Sequence, residues 1–350
     1  MALSPQQPNL ERVRRSLAAH PEDPTLHFKL GALLIRLGDE PAAMVAFRTA
    51  LKLKPDFWQA RLNLGNLYLW QGQRPRALDE YLKVLQVVPR NLTVRYNLGQ
   101  YNYDCGNIRG ALHLFEQVVA ANPRHLDALN SISLCHQQLG QYEPAVRASR
   151  KVAMLAPDQA WTHVNLGIAY RLADRSGEAL VELQQAARQF PQARDVHFEL
   201  GLTLCQVGHF DKAEPCFRRA LALDPKLAEA MNNLGYTLFR QDKLAEAQTW
   251  YEQALAADPD YTEAMNNLAE LYEEQGEYQK ANKHLKRLLA LAPDSTETYF
   301  NLGMNCYRLG DFDRAREELS AFVALWGQDD QFMRDARETL AKLAGETPQA

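Results

Sequence analysis

No stretch of this sequence approaches the roughly 18–20 uninterrupted apolar residues of a membrane-spanning helix, so membrane insertion is not expected. The first residues, Met1 to Pro8, are polar and proline-bearing, and without an apolar core segment they read as no secretory signal. Cysteine is scarce and odd in number. Cys105, Cys135, Cys205, Cys216 and Cys306 are scattered with no C-x-x-C pair, which argues against a disulfide framework and a zinc ribbon. The expectation is a reduced, cytoplasmic protein whose cysteines serve as small apolar fillers. Charge of one sign is missing too, since the net is -4, and nothing global calls for nucleic acid as a partner. Glycine-rich phosphate loops, H-E-x-x-H, G-x-S-x-G and EF-hand patterns are all absent. His27, His163 and His197 share one repeat phase but lie 34 residues or more apart, and the other histidines have no cysteine at ligand spacing. No catalytic residue, metal site or cofactor is therefore expected. Asn91-Leu92-Thr93 spells a glycosylation acceptor but reads better as a helix cap.

What is present is ordinary for a folded protein: 46% apolar and 23% charged residues over 350 positions. The charge is uneven. Residues 1–159 carry 19 Lys+Arg and 13 Asp+Glu, a net of +6, whereas residues 160–350 carry 20 and 30, a net of -10. The ordering principle is a period of 34. Stepping by 34 from Gly31 gives Gly65, Gly99, Ser133, Gly167, Gly201, Gly235, Ala269 and Gly303, all small. Twelve residues after each stands an alanine, from Ala43 and Ala77 to Ala281 and Ala315. A third phase is proline: Pro55, Pro89, Pro123, Pro157, Pro191, Pro225, Pro259 and Pro293. The phase never slips between Gly31 and Gly303, which leaves no room for an inserted domain.

Two helices per period explain the spacing. An aliphatic residue precedes each small one (Leu30, Leu64, Leu98, Ile132 and onward), and apolar residues recur around it at helical intervals, as in Leu62, Leu64, Leu67 and Tyr68. A turn follows, often at glycine, as at Gly38, Gly72, Gly106, Gly140, Gly208, Gly276 and Gly310. The second helix carries stripes such as Ala213, Phe217 and Ala220, and proline ends it. Pro-Asp pairs (Pro55-Asp56, Pro157-Asp158, Pro259-Asp260, Pro293-Asp294) are expected to place a capping acid before the next helix. The small residues are expected to let two helix backbones approach closely. A single such hairpin cannot bury its apolar face, so stacking must supply the core.

The small–Ala–Pro phasing at period 34 resembles the tetratricopeptide repeat (TPR) family over about Pro24 to Asp329, nine full repeats. The bulky position four before the small one is loose here (His27, Arg61, Arg95, Leu129), and Ser149 replaces an aromatic in the fourth repeat. The resemblance implies an all-α, right-handed superhelix. Residues 1–23 read as an N-terminal segment with an orphan capping helix over Asn9–His20, whose contacts are Val13 and Leu17. Residues 24–329 hold the repeats, and residues 330–350 a terminal helix and short tail. That helix, Asp330–Leu343, is expected to bury Phe332, Ala336, Leu340 and Leu343 and to expose Arg334, Glu338 and Lys342. Gly345–Ala350 reads as a loose tail.

In the TPR family the first helix of each hairpin lines the concave surface. By that resemblance the inner stripe includes the residue two before each small one: Lys29, Asn63, Asn97, Ser131, Asn165, Glu199, Asn233, Asn267 and Asn301. Asparagine is a mediocre helix former, so six in nine places call for a reason. One is a ladder of amides pairing with a peptide backbone, as related solenoids use them; the other is pairing with a neighbouring helix or mere tolerance of exposure. Aromatics share the stripe: Phe28, Trp70, Tyr96, Tyr103, Trp161, Phe198, Tyr236, Phe239, Phe300 and Tyr307, read either as ligand anchors or as packing between repeats. Acids enter the first helices at Asp127, Asp195, Glu229, Glu263 and Glu297, where the helix dipole alone favours them. Glu270, Glu273 and Glu274 come too late in their helix for that reason, and with Glu199 they make a neutral or basic ligand segment the better match to the C-terminal half. The lysine–arginine–asparagine clamp of chaperone-binding TPR domains is missing, since the corresponding pairs are Thr25/Lys29, Gln59/Asn63 and Thr93/Asn97.

The sequence thus points to a non-enzymatic scaffold or adaptor holding protein or peptide segments in a concave groove. Two other readings stay open. One is a self-assembling structural protein. The other is a separate regulatory or substrate-recruiting subunit for an enzyme such as a glycosyltransferase, because similar arrays precede the catalytic part of O-GlcNAc transferases.

Overall fold

The computed structural model describes residues 7–345, and among them the chain forms twenty helices and no strand. Packing divides it into two compact units, residues 1–157 and 158–350. The first unit opens with α1 (Gln7–Ala19). Four hairpins follow: α2 (Pro24–Arg36) with α3 (Glu40–Leu53), α4 (Trp58–Trp70) with α5 (Arg74–Val87), α6 (Leu92–Asp104) with α7 (Ile108–Ala121), and α8 (Leu126–Gln138) with α9 (Tyr142–Leu155). The second unit holds α10 (Ala160–Leu172) with α11 (Ser176–Gln189), α12 (Arg194–Gln206) with α13 (Phe210–Leu223), and α14 (Ala228–Phe239) with α15 (Leu244–Ala257). It continues through α16 (Thr262–Glu274) with α17 (Tyr278–Leu291) and α18 (Thr296–Arg308) with α19 (Phe312–Leu325), and ends at α20 (Gln331–Ala344). Within each unit, every hairpin packs on the next in the superhelical repeat arrangement that the period implies.

The alanine phase is the centre of each hairpin: all nine, from Ala43 to Ala315, are completely buried. The small phase seats a large apolar side chain from the second helix, a ring at Gly31, Gly65, Gly99, Gly201 and Gly235 and a leucine at Gly167 and Gly303. A Cβ added to Gly31 would stand 2.6 Å from the Phe47 ring, one on Gly99 2.5 Å from Phe115, and one on Gly235 2.7 Å from Tyr251. These rings are themselves buried, so the hairpin closes by seating a large apolar side chain on a bare backbone. The departure at Ser149 then has a partner. Ser133 stands where the other repeats carry glycine or alanine, and its hydroxyl meets that of Ser149 at 2.7 Å and donates to the Ala145 carbonyl at 3.0 Å. Two hydroxyls replace the small residue and its large apolar partner.

The turn between the two helices needs a left-handed residue. Seven glycines, Gly38 to Gly310, supply it with φ between 68° and 80°, and in the two remaining repeats Asp174 (φ 57°) and Asp242 (φ 60°) adopt the same backbone. Cap assignments from the Pro-Asp pairs were off by one residue. The N-caps are Phe57, Gln159, Tyr261 and Ser295, none with a side-chain cap bond, and the preceding acids lie in the turn instead. Capping side chains come from Asp23, Asp39, Asn91, Asn107, His125, Asp311 and Asp330. Asn91 caps α6 by accepting from the Val94 amide at 3.0 Å.

At the ends, α1 packs on α2 and α20 on α19. The buried edge of α20 is Met333, Ala336 and Thr339. Phe332, expected in that stripe, sits about 100° away around the helix and is 52% exposed, while Arg334, Glu338 and Lys342 face solvent as expected. The tail residues 346–350 lie outside the described residues, as do residues 1–6. Cys135 and Cys306 are buried fillers, whereas Cys105 at the end of α6 is exposed and Cys205 and Cys216 are half-buried.

Candidate functional site

In the second unit the first helices of consecutive hairpins touch, α10 to α12, α12 to α14 and α14 to α16, beyond the contact each makes with its own partner helix. Elements that crowd together lie on the inner side of a curved stack, so the first helices carry the concave face of this unit. The six asparagines of the predicted stripe (Asn63, Asn97, Asn165, Asn233, Asn267 and Asn301) are all half-buried on such helices.

Their amides are partly engaged within the protein. Asn63 Nδ2 donates to the Gln59 carbonyl at 2.9 Å and Asn233 Nδ2 to the Glu229 carbonyl at 2.7 Å, each one turn back on its own helix. Asn97 Nδ2 reaches across to Asn66 Oδ1 on the preceding hairpin at 2.8 Å, and Asn66 Oδ1 also accepts from the Tyr81 hydroxyl at 2.7 Å. Asn267 Nδ2 donates to Asn232 Oδ1 at 2.9 Å. The neighbour-helix reading thus holds for Asn97 and Asn267. A primary amide has two N–H groups and a two-lone-pair oxygen, so these bonds orient the side chain and leave acceptor capacity outward.

The acids of the stripe are bridged as well. Arg171 NH2 donates to Glu199 Oε2 at 3.2 Å, and Asn305 Nδ2 to Glu273 Oε1 at 2.6 Å, both between consecutive hairpins. Burial pushes the Glu199 and Glu273 carboxyls above their ordinary range, against the pull of Arg171 and Asn305 respectively. Burial, then the adjacent Glu274 charge, pushes Glu270 up too. Glu270 and Glu274 are exposed.

The structure gathers part of this set into a cleft of about 510 Å³ between α14, α16 and α18. Asn233, Tyr236 and Asn267 from the predicted stripe line it, with Glu263 and Glu297 from the first-turn acids. Asn232 and Asn266 join them; spacing arguments passed these two over, although the doublets Asn232-Asn233 and Asn266-Asn267 were visible in the sequence. The aromatics split. Phe28, Tyr96, Phe198 and Phe300 pack on second-helix rings, for example Tyr96 on Phe115 at 5.6 Å and Phe198 on Phe217 at 5.9 Å. Tyr236 leans on Phe210 at 6.1 Å and Tyr307 on Phe312 at 5.9 Å, while Tyr103 and Phe239 are half-buried. Trp70 is 63% exposed and Trp161 37%, and neither lines the cleft.

Tetratricopeptide-repeat sequence patterns match residues 10–56, 45–91 and 96–160 of the first unit, residues 160–185, and residues 192–260, 226–294 and 261–326 of the second. The chain belongs to the tetratricopeptide repeat family. Arrays of this family typically act as interaction scaffolds that bind proteins or peptides. Comparison with curated proteins finds no match. Among solved structures, the human IFIT1 dimer with m7Gppp-AAAA is 17% identical, aligns over 98% of this chain and 86% of its own, and has a TM-score of 0.56, a likeness of fold alone. The thermophilic TPR protein TTC0263 of Thermus thermophilus is 26% identical over 52% of this TPR chain and 100% of its own, with a TM-score of 0.45. MamA is 22% identical over 46% and 94%, with a TM-score of 0.41. Among the described residues no group of three His, Cys, Asp or Glu is placed to hold a metal ion, and no helix is long and apolar enough to cross a membrane.

Proposed function

We propose that this TPR chain is a non-catalytic cytoplasmic adaptor whose first-helix faces hold extended, neutral or basic protein segments. The observation that supports this reading is the composition of the 510 Å³ cleft. Its polar lining is dominated by amides and hydroxyls with two carboxylates, Glu263 and Glu297, and no lysine or arginine. One amide hydrogen each of Asn233 and Asn267 is engaged inside the protein, which leaves their oxygens as acceptors for backbone N–H groups and, with the two carboxylates, for cationic side chains. The two carboxylates, with no lysine or arginine beside them, would repel a phosphate backbone, which disfavours the type of ligand in the IFIT1 structure.

Capture of partners from lysate by the native chain and by the triple variant Asn165→Ala/Asn233→Ala/Asn267→Ala tests the proposal. Recovery reduced about tenfold or more in the variant is the expected result, from two or three hydrogen bonds of about 0.5–1.5 kcal/mol each. Equal recovery of the same partners would sink the asparagine groove.

A further inference from the structure

The C-terminal end of the second unit holds a smaller concavity that the asparagine register does not describe. A pocket of about 200 Å³ opens between α18, α19 and α20, lined by Glu297, Phe300, Asn301, Phe322, Trp326 and Phe332. Its walls are ring faces. Phe300 lies 5.2 Å from Phe322 and 5.2 Å from Phe332, the latter edge-on at 84°, and Phe322 stacks on Trp326 at 5.3 Å. Phe322 is buried at the base, and Phe332, displaced from the core stripe of α20, stands half-exposed at the mouth. The indole N–H of Trp326 donates to Asp330 Oδ2 at 3.2 Å, which fixes the ring and satisfies its one polar group.

Glu297 also lines the 510 Å³ cleft, so one carboxylate stands where the two concavities meet. It is exposed and has no ion-pair partner among the described residues. An apolar side chain filling the pocket would cover the approach to this carboxylate without answering its charge, and an anion would be repelled. A cation on an aromatic wall beside a carboxylate is favoured twice, by the ring quadrupole and by the ion pair. Between the natural cations, guanidinium is flat, weakly hydrated and able to stack on a ring while forking to a carboxylate, whereas ammonium is compact and strongly hydrated.

We propose that this pocket receives an arginine side chain of the segment held in the adjoining cleft, its guanidinium against Phe332 and Trp326 and its charge answered by Glu297. The assignment rests on the groove reading above and names a residue class within it.

The probes are capped tripeptides with a central arginine, leucine or trimethyl-lysine, titrated into the full chain while the Trp326 indole N–H resonance is followed; Trp326→Phe assigns that signal. The arginine peptide is expected to shift Trp326 at the lowest concentration of the three. Glu297→Gln, which keeps shape and leaves the core untouched, and Phe332→Ala should each weaken it roughly three- to fivefold, the size of an exposed ion pair or cation–π contact. Tighter binding of the leucine peptide, tighter binding of the trimethyl-lysine peptide, or a silent Trp326 with all three would each overturn the assignment. Undiminished partner capture by the asparagine variants is a separate result and bears on the groove alone.

Discussion

The two units are built from one hairpin and differ in what crosses between neighbouring hairpins. Between first helices of the first unit the bridges are neutral, Asn97 to Asn66 and Gln100 Nε2 to Ser131 Oγ at 3.1 Å, and a charged contact between its hairpins, Arg74 to Asp104 at 3.5 Å, lies at the exposed surface. In the second, carboxylates take part, in Arg171 to Glu199 and Asn305 to Glu273. Net charge follows the same division, with 19 Lys+Arg against 12 Asp+Glu in residues 1–157 (+7) and 20 against 31 in residues 158–350 (-11). The core phases repeat because packing at the hairpin centre admits few alternatives. The first-helix surface repeats in its asparagines, and its charge differs between the units because packing at the hairpin centre does not constrain it.

Breaking one bridge in each unit tests that contrast most severely. Arg171→Met removes the partner of a mostly buried carboxylate, and the expected cost at pH 7 is about 3 kcal/mol, the lower end for a broken buried pair. Gln100→Met removes a neutral bridge and should cost about 1 kcal/mol. The pH dependence separates them further. Burial already holds the folded-state pKa of Glu199 above its unfolded value, and loss of Arg171 raises it more. The penalty is therefore fully present above the folded pKa and fades as pH falls toward the unfolded value of about 4.3. Urea unfolding at pH 4 and pH 8 should show the Arg171→Met deficit shrink at the lower pH while the Gln100→Met deficit stays constant. Equal behaviour would mean that the charged bridges do not distinguish the units.

A milder test falls on the repeat that replaces the small residue and its large apolar partner with two serines. Ser133 and Ser149 are both buried, so Ser149→Phe alone drives a ring into the Ser133 side chain, at an expected cost of about 2 kcal/mol. Adding Ser133→Gly restores the arrangement of Gly99 with Phe115, and the double variant should recover most of that loss. Additive costs in thermal or urea unfolding would show that the two positions are not a coupled seat.

How far the sequence carried the fold can be read from these residues. Period, hairpin, buried alanines and left-handed turns were legible because each is a constraint repeated at a fixed phase, from Ala43 to Ala315 and Gly38 to Gly310. What the glycine made room for was not, since spacing tells that a site is small and not which group fills it. The cap positions were misjudged by one residue because Pro-Asp marks the turn, and the turn is a residue longer than assumed. Most of the candidate site stayed hidden for a related reason. Whether Asn267 meets a ligand or Asn232, and whether Phe332 joins the core or a pocket, depends on the rotation of one helix against the next, which periodicity alone does not report.

The gentlest contrast between the units lies in their turns. All four hairpins of the first unit turn on glycine, whereas the second uses Asp174 and Asp242 at two of its five. A left-handed backbone costs an L-residue roughly 1–2 kcal/mol, with aspartate among the least penalised, and glycine removes the cost while giving the unfolded chain more freedom to lose. The two effects oppose, so Asp242→Gly should stabilise the second unit by only a few tenths of a kcal/mol, up to about 1. The reverse change, Gly276→Asp, places no new contact because nothing lies within 4 Å of its Cβ, and should destabilise by a similar amount. If Asp242→Gly instead destabilises in urea unfolding, the carboxylate itself holds the turn, and the second unit has replaced a backbone device with a side-chain one.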